Sequence, residues 1–268
     1  MTQAARLRDT GTTMTEDRQK QLFEAANLLL NARRTHTPIA DLPANLQPQS
    51  LEEAAFVHGI IIADLGAIGG WKIGAGSPDA TPFFAPMPLA WMVPSGTLLA
   101  GPRFRYRVLE AEIAFLLGKD LPARATPYTR AEVVAAIASC HPIIEELESG
   151  LIDPKAATHL SMLADLQMHG GFIHGPAYPD WQSIDFMTET VTLAIDGKVE
   201  VERTGSNTSG DLMRLLPYLA NEGAARTGGL KSGQWITTGS WTGNTPAPAG
   251  SQAVATFGHA GSVSLRFA

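Results

Sequence analysis

Glu110 and Glu112 sit one residue apart inside the apolar run Val108-Leu109-Glu110-Ala111-Glu112-Ile113-Ala114-Phe115-Leu116-Leu117. Side chains alternate along a strand, so both carboxylates project from one side. Two like charges in a strand built for the interior are costly unless something compensates them. A divalent cation is the simplest compensation, and oxygen donors favour a hard ion such as Mg2+, Mn2+ or Ca2+. The alternative is a strand whose outer face is polar and solvated. Leu109, Ala111 and Ile113 on one face, with Ala114 and Leu116 on the glutamates' own face, speak for a strand covered on both sides.

A third carboxylate would complete a facial set of oxygen ligands, leaving positions for water and substrate. Pro142-Ile143-Ile144-Glu145-Glu146-Leu147-Glu148 offers three candidates, with an exposed acidic patch as the plain alternative. On a strand Glu145 and Glu146 face opposite ways, so only one of these neighbours can join the site. Lys72, in Gly69-Gly70-Trp71-Lys72-Ile73-Gly74, could bind a carboxylate or offset the charge of an enolate, or simply extend to the surface. Thr237-Thr238-Gly239-Ser240 ends a predicted strand, where hydroxyls and free N–H groups could hold a carboxylate, or make an ordinary turn. His169 and His174 lie five apart in a Gly-rich stretch that reads as a loop or short strand. No GxSxG, P-loop or GxGxxG fingerprint is present, so serine-hydrolase and nucleotide readings lack support.

These residues need a scaffold. Apolar residues at helical spacing from Leu22 to Leu30, after a cap at Thr15, predict a first helix. Ser50-Leu51-Glu52-Glu53 fits a capping box for a second, which Gly66 can stop. After Gly70 short β-like runs follow at 71–73, 89–93, 109–117, 142–147, 190–195, 234–238, 253–257 and 262–267. A helix opens at the capping box Thr129-Arg130-Ala131-Glu132, and another spans 211–222, with Pro217 forcing a kink or a late start. The expected class is α+β: a helical region, residues 1–68, leading into a β-rich catalytic core, residues 69–268, integrated as one domain.

The 268 residues, 44% hydrophobic and 17% charged, suffice for a sizeable core. A net charge of -6 with no Lys/Arg-rich run argues against nucleic acid. No run approaches the roughly 18–20 apolar residues of a membrane span. The polar segment 1–21 lacks the apolar stretch of a signal peptide, and Met14 as a start would make what precedes it a frayed arm. Cys140 is the single cysteine, which excludes an internal disulfide and a multi-cysteine zinc cluster and makes a reducing cytoplasm the natural compartment.

In order along the chain come Lys72-Ile73-Gly74, Phe84-Ala85-Pro86-Met87, Glu110-Ala111-Glu112-Ile113-Ala114, Pro142-Ile143-Ile144-Glu145 and Ile236-Thr237-Thr238-Gly239-Ser240. With this set the chain resembles the 2-keto-4-pentenoate hydratase and 4-oxalocrotonate decarboxylase branch of the fumarylacetoacetate hydrolase superfamily, from about Leu51 to the C-terminus. The resemblance implies a mixed β core and a Mg2+ or Mn2+ held by Glu110, Glu112 and Glu145. It implies catalytic roles for Lys72 and Asp79, and a substrate pocket that includes Phe84, Thr238 and Gly239. The implied reaction is hydration of a 2-hydroxy-2,4-dienoate to a 4-hydroxy-2-oxo acid. The nearest alternatives are a metal-dependent 2-oxo acid decarboxylase and an acylpyruvate C–C hydrolase, for which His58 is the one N-terminal candidate for water activation. A non-catalytic partner subunit of a decarboxylase is the alternative of another class. Homo-oligomerisation is expected from the family, with a decarboxylase as a further potential partner. Two departures bear on the substrate: the segment 73–78 is short, and Asp165-Leu166-Gln167-Met168-His169 stands where relatives carry an Asp-Asn-Ala-Ser-like block.

Overall fold

The computed structural model describes residues 14–223 and 227–268, so the arm expected at 1–13 lies outside the described residues. The chain opens with helices α1 (Glu16–Thr35) and α2 (Leu51–Leu65). Strands β1 (Ile68–Gly74), β2 (Phe83–Pro88), β3 (Met92–Pro94), β4 (Thr97–Leu99), β5 (Val108–Leu117) and β6 (Leu121–Pro122) follow. Then come α3 (Arg130–Val134), β7 (Ile137–Leu147), α4 (His159–Ala164), β8 (His169–His174), β9 (Thr190–Ile195) and β10 (Lys198–Thr204). The last elements are α5 (Leu215–Tyr218), β11 (Gly229–Leu230), β12 (Trp235–Thr237), β13 (Thr245–Pro246), β14 (Gln252–Phe257) and β15 (Gly261–Phe267). This is the expected mixed α+β architecture. No helix among the described residues is long and apolar enough to cross a membrane.

The helix starts are set by their caps. Thr15 accepts from the Arg18 N–H at the head of α1, and Ser50 accepts from the Glu53 N–H at the head of α2. The box at Ser50 is only half formed, because the Glu53 carboxylate turns to the Gln49 N–H (2.7 Å) and to Arg18 (2.6 Å). At Thr129 both halves of the box are made. Over 211–222 the chain does not form one kinked helix. It winds from a 3-10 turn (Leu212–Arg214) through α5 into a π-type turn (Leu219–Gly223), and Pro217, with no N–H to donate, lies where the winding changes.

The main sheet runs β2-β1-β12-β5-β7-β8-β3, with β13 also paired to β5; β1–β12 and β3–β8 are parallel and the other pairs antiparallel. A second sheet runs β10-β9-β14-β15-β4. The two pack face to face: Leu109, Ala111, Ile113 and Phe115 of β5 share one core with Leu193 of β9, Ala255 of β14 and Leu265 of β15. The helices α1, α2 and α4 form a layer that buries Leu22, Leu29, Val57, Ile61 and Leu163 together and reaches the main sheet at Phe83 of β2, while the glutamates' face of β5 packs Ala114 with Met87, Ile143 and Phe172. On β5 itself Leu109, Ala111, Ile113 and Ala114 are fully buried, Glu112 is buried and Glu110 half-buried, so two charged residues sit on a largely closed face.

Two local differences from the sequence reading have physical causes. Residues 89–91 form a 3-10 turn, and only Met92–Pro94 pairs as a strand. β10 lacks an apolar face because it is an exposed edge strand, and its marker is the Asp196-Gly197 turn, both residues at positive φ. Of the two readings offered for the Gly-rich stretch at 169–174, loop or short strand, the strand is the one formed: it is β8, and it is buried. There a Cβ on Gly170 would lie 2.4 Å from Glu146 Oε2, so only glycine lets β7 and β8 approach.

One side chain ties the helices to the sheet. Arg33 of α1 pairs with the fully buried Asp165 (2.6 Å) and donates to the carbonyls of His169, Glu148 and Asp165, each at 3.0 Å. Removing one partner of a buried pair strands the other, at a cost of about 3–5 kcal/mol. Arg33→Ala should lower the unfolding free energy by about that much in a denaturant titration, and Arg33→Lys should recover little, since an ammonium cannot reproduce the planar fork. A loss below about 1 kcal/mol would show that the anchor is dispensable.

Candidate metal centre

β5 and β7 run antiparallel with Glu110 directly opposite Glu145, so the two carboxylates share a face, and Glu112 lies two residues further on that face. One oxygen from each of the three can be chosen so that all lie within 4.8 Å of one another. β1 and β12 add the facing cation and hydroxyl: Lys72 is opposite Thr237, and Thr237 is opposite Ala114. Pairing register alone thus gathers Lys72, Glu110, Glu112, Glu145 and Thr237 on one side of the sheet. Glu146 points the other way. It is buried with no hydrogen-bond partner for either oxygen among the described residues, and burial, then Glu148, pushes its carboxyl well above the usual range. Glu148 accepts from the Arg105 and Tyr106 N–H groups at 2.5 and 2.7 Å, closing a turn and not the site.

The triad carboxylates are held from outside. Glu145 Oε1 accepts from Lys72 Nζ (2.6 Å) and from His169 Nδ1 (2.8 Å), while its Oε2 is buried with no partner among the described residues. Glu112 Oε2 accepts from the Thr237 hydroxyl and from the Gly239 N–H (2.9 Å). Ser240 lies beside Glu110 and favours its ionised form. In Glu145 and Glu112, one oxygen is tied down by two donors and the other is left for something else.

The electrostatics follow from crowding. Burial, with Glu145 adding repulsion and Lys72 opposing it, raises the Glu110 carboxyl to about 7. Burial and the charges of Glu145 and Glu110 push Glu112 well above its ordinary value. Burial would raise Glu145 too, but Lys72 and the His169 hydrogen bond outweigh it and hold the carboxyl below the usual range. Burial disfavours the Lys72 ammonium, and the three carboxylates outweigh that and raise it. Lys72 and Glu145 are thus shifted toward their charged forms, and Glu110 and Glu112 toward their protonated ones.

Strain supports this arrangement. Leu166, Gln167 and Met168 have φ of 52, 52 and 64, a left-handed run without glycine. Each such residue costs about 1–2 kcal/mol. Burial of Leu166 in the helical layer, Asp165 bonded to Arg33, Ser149 and the Gly150 N–H, and the Gln167 carbonyl on Lys72 Nζ (3.0 Å) hold the run in place. Its outcome is His169, fully buried, stacked on Trp91 with ring centroids 5.9 Å apart.

Of the residues singled out in the sequence, Lys72, Glu110, Glu112 and Glu145 converge. Gly239 lies at φ 91 and gives its N–H to Glu112. The Thr238 hydroxyl donates to the Ile113 carbonyl (2.7 Å), which clamps β5 to the end of β12. Phe84 pairs with Ile73 and packs edge-on against Trp71 and Tyr218, on the sheet face away from Lys72. Asp79 is exposed between β1 and β2, and His58 is buried on α2. Thr237, Gln167 and His169 were not singled out as site residues. Thr237 was within reach, since strand alternation after Ile236 turns it toward Lys72, whereas a left-handed turn made of Leu, Gln and Met has no sequence signature.

Three carboxylates against one ammonium leave two negative charges when all are ionised, which a divalent cation balances. All-oxygen donors and the partnerless Glu145 Oε2 suit a hard ion, so the residues present fit Mg2+ or Mn2+. No protein-family model matches the sequence. The structure is similar to 4-oxalocrotonate decarboxylase from Pseudomonas putida G7 complexed with magnesium and adipate, with a TM-score of 0.82 and 24% identity over 96% of this chain and 100% of that one. The same enzyme complexed with calcium and acetate gives 0.81 at 24% identity, with the same coverage. A more distant likeness, TM-score 0.54 and 16% identity over 75% of this chain and 79% of that one, is to 5-carboxymethyl-2-hydroxymuconate delta-isomerase from Mycobacterium smegmatis. The fold is the fumarylacetoacetate hydrolase-like one that the sequence led us to expect.

A carboxyl raised on folding contributes stability that is complete below its unfolded value and is lost as pH climbs toward the folded one. For Glu110 that window runs from 4.5 to about 7. Buried His141 and His169 and half-buried His174 shift down and act in the opposite sense, so the informative quantity is a difference between variants. In chelator-stripped protein, the Tm of Glu110→Gln minus that of wild type should grow between pH 4.5 and 7. A difference that stays flat over that interval would mean Glu110 ionises freely in the fold.

Proposed function

We propose that the chain is a divalent-metal-dependent enzyme of the fumarylacetoacetate hydrolase superfamily that acts on a small 2-oxo acid, and that its reaction is the loss of CO2 from a 4-oxalocrotonate-type substrate. The observation that carries the reading is the buried carboxylate triad facing Lys72. Glu110, Glu112 and Glu145 would hold Mg2+ or Mn2+. A cation there supplies positive charge to the carboxylate and C2 oxygen of a 2-oxo acid, lowering the energy of its enolate.

The chain's own residues do the rest. Lys72 adds a second positive charge beside the developing enolate, and with two of its three donors on Glu145 and Gln167 it retains one for substrate. Thr237 and Gly239 keep Glu112 from turning when substrate enters. Burial of Glu112 and Glu145 keeps bulk water away, which strengthens each of these charge interactions. In decarboxylation the bond to the departing carboxylate breaks, its electron pair moves along the conjugated chain to the C2 oxygen, and a proton later returns to carbon. Proton return is assigned to Asp79, which the resemblance implicates and which lies exposed in the segment between β1 and β2.

Hydration of a 2-hydroxy-2,4-dienoate passes through the same kind of enolate, yet it also needs a base that activates water. Among the described residues the donors around the triad are turned toward its carboxylates, an arrangement that favours decarboxylation, which needs no activated water. Similarity along essentially the whole of both chains to a 4-oxalocrotonate decarboxylase supports the same choice.

The test is product analysis with 4-oxalocrotonate and with 2-hydroxy-2,4-pentadienoate, each with Mg2+ and with chelator. We expect CO2 from the first, stopped by chelator, and a loss of about 10^2–10^3-fold in Glu145→Gln, equal to several kcal/mol of lost charge stabilisation. A 4-hydroxy-2-oxo acid from the second, without CO2 from the first, would assign the hydratase reaction instead. Turnover indifferent both to chelator and to Glu145→Gln would overturn the metal reading.

A further inference from the structure

Glu145 is the one triad residue whose carboxylate is gripped by two cationic or N–H side-chain donors on the same oxygen, and one of them is His169. A carboxylate oxygen only accepts, so the ring must donate through Nδ1–H, which leaves Nε2 as an acceptor. That Nε2 is buried with no partner among the described residues. The imidazole is fully buried, its face lies at 27° to Trp91, and its backbone carbonyl accepts from Arg33. A phenyl ring would fill the same place on Trp91 without burying an unmet ring nitrogen. What only a histidine supplies here is the Nδ1–H.

We infer that His169 is a positioning residue for the metal ligand Glu145: its N–H fixes Oε1 from one direction while Lys72 fixes it from another, so that Oε2 is presented to the ion. This inference rests on the metal reading above and adds to it a residue outside the ligand set. The left-handed run 166–168 is the device that delivers the ring, because β8 begins at His169 directly after it. Arg33 and Asp165 secure that run from the helical side. Lys72 alone would leave the carboxylate free to swing about a single donor, and the ion would meet a ligand of undefined direction.

Two variants separate the donor from the ring. His169→Asn keeps an N–H where Nδ1 stands and removes the stack; His169→Phe keeps the stack and removes the donor. Mn2+ affinity is read from the free-ion EPR signal during titration of chelator-stripped protein, with circular dichroism confirming the fold. We expect one Mn2+ per wild-type chain, affinity within about threefold in His169→Asn, and a loss of roughly 10- to 100-fold in His169→Phe. Lys72 is untouched in both, so a loss in His169→Phe reports the missing N–H. Wild-type binding with His169→Phe unchanged, or with His169→Asn the weaker of the two, overturns the positioning role and leaves the metal site standing. No saturable Mn2+ binding by wild type overturns the metal reading itself.

Discussion

Three carboxylates whose oxygens can lie within 4.8 Å of one another, on a largely buried face of the sheet, form an arrangement that a folded chain cannot hold fully ionised on its own. Lys72 neutralises one of the three charges. The remainder is met by protons on Glu110 and Glu112, or by an ion of two positive charges. Everything around the triad is consistent with the second state being the functional one. In Glu145 and Glu112 one oxygen is tied to protein donors, and Glu145 Oε2 is left bare in a place where an unmet carboxylate oxygen is expensive.

This constraint explains features that otherwise look unrelated. The β5–β7 register places Glu110 opposite Glu145, a like-charge pair that would normally weaken a sheet. The left-handed run 166–168 is strained, yet Arg33 and Asp165 hold it, and through it the helical layer reaches the metal face. Gly239 at positive φ turns its N–H onto Glu112. Stability is given up in several places to keep three acceptors aimed at one point.

How much of this was legible in the sequence depends on the range of the interaction. Alternation along one strand was enough to put Glu110 and Glu112 on one face, and the caps at Thr15, Ser50 and Thr129 marked the helices. Alternation also showed that Glu145 and Glu146 could not both join the site; the resemblance chose Glu145, and the register with β5 agrees. What could not be read were properties of pairing between distant strands: the edge strand β10 with no apolar face, and the close approach of β7 and β8 that a missing Cβ at Gly170 permits. Phe84 illustrates the same limit, because its motif neighbours converge on the site while the β1–β2 register turns its ring to the opposite face. His169 was visible only as one of two histidines in a Gly-rich stretch and as a departure from the family pattern the chain resembles, since its contact with Glu145 depends on a backbone conformation that Leu, Gln and Met do not announce.

The central claim is that Glu110, Glu112 and Glu145 together are the ligands of one divalent ion. Anomalous diffraction from a crystal of the protein grown with Mn2+ tests it most directly. The account predicts a single strong peak within bonding distance of an oxygen from each of the three carboxylates, with Lys72 and His169 still on Glu145 Oε1. A triad that carries no anomalous density at saturating Mn2+, or a peak bound elsewhere with Lys72 and the glutamates closed on one another, would contradict it.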